Sequence, residues 1–167
     1  MNLLLTSDGI TNPLLAQALL DLVGWPFAQT SLAFIPTAAN VEVGDKTWLI
    51  NDFQNLKNLG FSSIDIVDIS SLPPGLWQPR LENADILVFG GGNTFHLIYW
   101  LRQSGLAKLL PKYLKTKVYM GISAGSMVVS KSIFLTSDKP VYDQDRLGVV
   151  DDSGLNLVDF YVRPHFD

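Results

Sequence analysis

A chain of 167 residues, 47% hydrophobic and 17% charged, amounts to one ordinary domain with a core to bury. Its net charge of -4, with Lys and Arg scattered and no basic run interleaved with aromatics, excludes a phosphate-backbone footprint, so nucleic acid is not an expected partner. The absence of cysteine excludes a disulfide framework, a thiolate nucleophile and a thiolate metal site.

Met1-Asn2-Leu3-Leu4-Leu5 lacks a basic region and meets Thr6, Ser7 and Asp8 too early for a signal peptide, and no apolar stretch approaches spanning length. The expectation is a cytoplasmic protein without a membrane partner. Residues 3–6 suit a short buried strand, Asn12 and Pro13 a helix N-cap and first turn, and Gly24 a helix stop. Residues 32–35 give the next strand. Asp45 can cap a helix whose apolar positions Leu49, Phe53 and Leu56 recur at helical spacing before Gly60. Residues 64–69 alternate apolar side chains with Asp65 and Asp68, as a strand near a sheet edge does. Residues 70–80, with Pro73, Pro74, Gly75 and Pro79, read as a loop. Residues 85–89 read as a central strand, followed by a glycine-rich turn, a helix to about Ser104 and a second helix over residues 106–116. The alternation predicts an α/β fold, mostly parallel, with ligand sites at the carboxyl ends of its strands.

Two glycine-bearing turns fall at such ends. Gly121-Ile122-Ser123-Ala124-Gly125 follows the apolar stretch Val118-Tyr119-Met120 and has the form of a nucleophile elbow, in which small flanking residues let a serine project from a tight strand-to-helix turn. A serine hydroxyl needs a base near neutral pH, and of the two histidines in the chain His165 lies downstream, in Arg163-Pro164-His165-Phe166. Gly90-Gly91-Gly92-Asn93-Thr94-Phe95 lacks the last glycine of a dinucleotide fingerprint and has no Walker-type lysine after it. It suits an oxyanion hole, with Gly91 or Gly92 and Ala124 as paired backbone donors, or a turn that serves helix–sheet packing alone. His96 reads as a partly exposed helix residue, Arg163 as a surface residue, and no metal-binding spacing joins His96 to His165.

Phe89-Gly90-Gly91-Gly92-Asn93-Thr94-Phe95, Gly121-Ile122-Ser123-Ala124-Gly125 and Pro164-His165-Phe166, in this order and with Ile35-Pro36-Thr37-Ala38 upstream, resemble the aspartyl dipeptidase (dipeptidase E) family of serine peptidases. The resemblance implies a class I glutamine amidotransferase-like fold, a flavodoxin-like three-layer arrangement with helices on both faces of a mostly parallel sheet. It implies hydrolysis of a small peptide substrate, in some members dipeptides with N-terminal Asp, without metal or organic cofactor. Ser123 is then the nucleophile and His165 the base. Of the carboxylates between them, Asp138 in Thr136-Ser137-Asp138-Lys139-Pro140 matches the segment of a family triad acid, whereas Asp143, Asp145, Asp151, Asp152 and Asp159 read as loop residues. A competing family acid, a glutamate, would lie beyond Asp167.

The chain ends two residues after His165. A single domain over residues 1–167, shortened at the C-terminus relative to the family fold, is therefore expected, with a homodimer as one way to cover apolar surface. Other readings are a cyanophycinase-like or esterase-type serine hydrolase and a catalytically incomplete ligand-binding relative.

Overall fold

The computed structural model describes residues 1–134 and 151–165. In chain order the elements are β1 (Asn2–Thr6), α1 (Pro13–Val23), β2 (Ser31–Ile35), α2 (Thr47–Asn58), β3 (Ser63–Ile66), α3 (Pro74–Asn83), β4 (Ile86–Phe89), α4 (Thr94–Gln103), α5 (Leu106–Tyr113), β5 (Val118–Ile122) and α6 (Ala124–Met127). The strands form one parallel sheet in the order β1-β5-β4-β2-β3. The chain thus lays down its first three strands and returns to insert β5 and β4 between β1 and β2. These last two strands have neighbours on both sides, and every residue in them is buried, as their nearly continuous apolar composition requires.

Because side chains alternate across a strand, the sheet builds two cores. Phe34, Ile86, Val88 and Met120 meet Leu19 and Val23 of α1 and Leu56 of α2 on one face. Leu87, Phe89 and Tyr119 meet Trp77 and Leu81 of α3, Leu97 and Leu101 of α4, and Leu110 of α5 on the other. Each fully buried large apolar side chain contributes about 1.5–3 kcal/mol relative to exposure. The result is the expected three-layer α/β arrangement. The local signals at α1 hold as well: Asn12 Oδ1 accepts from Leu15 N at 3.0 Å, Pro13 opens the helix and Gly24 caps its end.

Three expectations need correction. Residues 70–80 are not one loop, since α3 begins at Pro74. Pro at the first helical position costs no hydrogen bond, and burial of Trp77 and Leu81 outweighs the penalty of Pro79 further in. Arg80 adds an ion pair with Asp65 on edge strand β3. That strand also stops at Ile66, short of Ile69. Finally, Asp45 is not the N-cap of α2, a place taken by Lys46; it folds over the first turn instead, accepting from the backbone N–H and hydroxyl of Thr47 at 3.1 and 2.8 Å.

Candidate active site

Ser123 joins β5 to α6 with φ 48 and ψ -106, a conformation that non-glycine residues hold only when their surroundings impose it. The surroundings do so from both sides. Ser123 N donates to Thr6 O at 2.9 Å, and Ser126 Oγ donates to the same carbonyl at 2.8 Å while accepting from Thr6 N. On the other flank the backbone of Gly125 presses against β4 so closely that an added Cβ would lie 2.0 Å from Phe89 O. Tyr119, stacked on Phe89, donates its hydroxyl to Gly125 O at 2.6 Å. The elbow is therefore fastened to the ends of β1 and β4.

The pairing of β1 with β5, register Thr6 with Ile122, brings the segment after Thr6 out beside Ser123. Thr6 Oγ1 braces this exit by donating to Gly121 O at 2.9 Å and accepting from Gly9 N at 3.1 Å. Onto it comes His165. Its Nε2 lies 3.2 Å from Ser123 Oγ, its Nδ1 lies 3.3 Å from Asp8 Oδ1, and its backbone N–H donates to Ser7 Oγ at 3.0 Å. With a proton on Nδ1 facing the carboxylate, Nε2 is left to accept the hydroxyl proton. Ser123 and His165 thus lie within hydrogen-bond reach of one another, with Asp8 on the far side of the imidazole. Asp138, Asp143 and Asp145 lie outside the described residues. Asp151 pairs with Arg102 and accepts from Ser153 N, Asp152 accepts from Ser132 Oγ, and none of Asp151, Asp152 and Asp159 lines the cleft above Ser123.

That cleft, of about 510 Å³, is lined by Ser123, His165 and Asp8 together with Trp48 and Asp52 of α2. Gly91 and Gly92 line it as well, and a Cβ on Gly91 would come 3.4 Å from Ser123 Cβ. At Gly92 the backbone has φ 124 and runs so near Ala38 that a Cβ would lie 2.4 Å from its carbonyl oxygen. Gly90 N and Asn93 N are taken by Ile35 O and Ala38 O; the N–H groups of Gly91, Gly92 and Ala124 donate to no protein acceptor among the described residues. Ala124 is fully buried at the first position of α6 and is not among the residues lining the cleft.

His96 departs from its expected partial exposure. It is 6% exposed, neither ring nitrogen has a partner among the described residues, and burial pushes its pKa down; it does not line the cleft. Arg163 is exposed beside Met1 and Leu3, away from Ser123. Among the described residues, no group of three or more His, Cys, Asp or Glu could hold a metal ion, and no helix is long and apolar enough to cross a membrane.

Two cleft carboxylates escaped sequence reasoning. Asp8 sits in Thr6-Ser7-Asp8-Gly9, which reads as a turn, and its one signal is a place at the carboxyl end of a strand. Asp52 lies on α2, where a carboxylate reads as solvated. It is instead 7% exposed, and burial, with the Asp8 charge adding to it, pushes its carboxyl up to about 6.

Comparison with known proteins points the same way. The sequence profile of peptidase family S51 matches residues 3–167. The chain is 34% identical over 137 residues to an uncharacterized peptidase of Pasteurella multocida, a match covering 81% of this chain and 65% of that protein. It is 36% identical over 136 residues to peptidase E of Shewanella oneidensis, covering 80% of this chain and 52% of that one. A solved candidate peptidase E protein of Listeria monocytogenes EGD-e superposes with a TM-score of 0.81 at 31% identity, covering 99% of this chain and 79% of that chain. A peptidase from an acI-B1 Actinobacterium, 21% identical with a TM-score of 0.68, shares the fold over 98% of this chain and 68% of that one. The chain thus spans between about half and two thirds of the length of these two curated relatives.

Proposed function

The chain belongs to peptidase family S51, and on that premise we propose that it acts as a serine peptidase on short peptides, with Ser123 as nucleophile and His165 as base. The observation that carries the proposal is the 3.2 Å approach of His165 Nε2 to a serine held in a strained, over-determined turn. Ser123 Oγ attacks the scissile carbonyl as its proton passes to Nε2. The imidazolium returns that proton to the departing amine, and a water activated by the same nitrogen then releases the acyl group from Ser123. Asp8 is the positioning residue: its carboxylate faces Nδ1, holds the tautomer that frees Nε2 and stabilises the imidazolium. Gly91 or Gly92 supplies a backbone N–H to the oxyanion, a role supported by their place in the cleft lining and by the absence of another acceptor for them among the described residues.

Preference for an N-terminal aspartate is a finer reading that rests on the resemblance alone. The described cleft offers such a side chain Asp8, Glu42 and Asp52, and no Lys or Arg lines it. Hydrolysis of Asp-X and neutral dipeptides by the unaltered protein and by Ser123→Ala, read as amine release, tests both levels. Turnover that falls by roughly 10⁴-fold or more in Ser123→Ala is the expected result. Turnover that survives the substitution, or none at all from a folded protein, would overturn the assignment.

A further inference from the structure

Asp52 is the buried one among the cleft carboxylates, and no other described residue employs it. It is 7% exposed, lines the same cavity as Ser123, and accepts no hydrogen bond among the described residues. The residue is therefore largely withdrawn from bulk water while its carboxylate is left to what occupies the cleft, and a charge so placed is stabilised by an opposite charge that enters there. The carboxylate is also hemmed in: the backbone of Gly9 packs on it so tightly that a Cβ there would lie 2.8 Å from Asp52 Oδ1 and 3.3 Å from Ile122 Cδ1. This places Asp52 against the floor that leads to the nucleophile. In the β1 exit the Gly9 N–H is taken by Thr6 Oγ1, and Asp8 carries a like charge.

The occupant must be cationic. Asp8 and Glu42 line the cleft with Asp52, and among the described residues no Lys or Arg does, so this part of the cavity concentrates negative charge. A metal ion does not fit, since the described residues bring no three ligating side chains together. Resting on the serine-peptidase reading above, we infer that Asp52 receives a primary ammonium group of the peptide substrate, so that the cleft selects peptides bearing a free amine near the scissile bond. An ammonium brings three N–H donors to a carboxylate that accepts none from the protein, and its charge offsets the burial and the Asp8 repulsion that raise the Asp52 pKa. The same group would hold the peptide in register for Ser123.

Binding can be measured without turnover by calorimetry on Ser123→Ala and on Ser123→Ala with Asp52→Asn, each shown to be folded by thermal denaturation. The probes are Ala-Phe, with an α-ammonium, N-acetyl-Lys-Phe, with a side-chain ammonium only, and N-acetyl-Ala-Phe, with neither. One or both amines should bind about ten- to a hundredfold more tightly than N-acetyl-Ala-Phe, and which one does so identifies the source of the ammonium. Asp52→Asn should abolish that advantage. Equal affinities for all three, no binding of any, or an advantage that persists in Asp52→Asn would each overturn the inference. Fluorophosphonate labelling of Ser123 in the otherwise unaltered protein reports on the peptidase reading separately, because it requires no amine.

Discussion

The nucleophile and its base are held in opposite ways. Ser123 is 8% exposed and clamped through backbone contacts to β1 and β4, whereas the His165 side chain is 54% exposed and meets the rest of the site through Ser7, Asp8 and Ser123. The elbow inherits its geometry from the core, so damage to it reaches the fold. The base depends on a few polar contacts at the surface, so damage to them reaches the chemistry and leaves the fold intact.

Gly125→Ala tests the first half with the largest expected effect. A Cβ placed 2.0 Å from Phe89 O forces the elbow away from β4, and a stability loss of more than about 3 kcal/mol, or failure to fold, should appear in chemical denaturation. Asp8→Asn tests the second half. It should lower turnover by roughly 10²-fold or more while the melting temperature changes little, because the Asp8 carboxylate is exposed. A matched Asp138→Asn sharpens the comparison, since a loss greater than that of Asp8→Asn would move the positioning role to Asp138.

Asp52 combines both halves, being a cleft group set in the core-facing side of a helix. Its carboxyl titrates near 3.8 when unfolded and at about 6 when folded. The folded state therefore binds the proton more tightly, and the stability this gives is fully present below pH 3.8 and lost as pH rises through 6. Asp52→Asn, which cannot ionise, should be more stable than the unaltered protein at pH 8 by on the order of 2 kcal/mol and close to it at pH 4, in urea denaturation at the two pH values. Equal differences at both pH values would show that the carboxyl is not desolvated. Ser7→Ala should have the smallest effect. Removing the acceptor of the His165 N–H costs about 1 kcal/mol in kcat/KM, a several-fold loss, with no change in the melting temperature.

Much of this organisation is legible along the chain where the signal is local. Asn12 and Pro13 mark the start of α1, the run Ile86-Leu87-Val88-Phe89 announces a central strand, and Gly121 and Gly125 mark the elbow. What is hidden is nonlocal. Asp8 reaches His165 only because β1 lies beside β5, a pairing between residues more than a hundred positions apart. Asp52 is buried by the Gly9 turn rather than by its own helix. The three prolines of residues 70–80 conceal α3 because two of them mark its start and the burial of Trp77 and Leu81 overrides the third. His96 differs from its expected exposure for the same reason, since α4 is covered on the side that a helical pattern leaves open.

The most direct test is the rate at which a fluorophosphonate labels Ser123, with the site located by peptide mapping, in the unaltered protein and in His165→Ala. The arrangement predicts labelling at Ser123 alone and a rate reduced by roughly 10²-fold or more in His165→Ala, because the base that takes the hydroxyl proton is gone. Equal rates in the two proteins, or labelling at another serine, would contradict it.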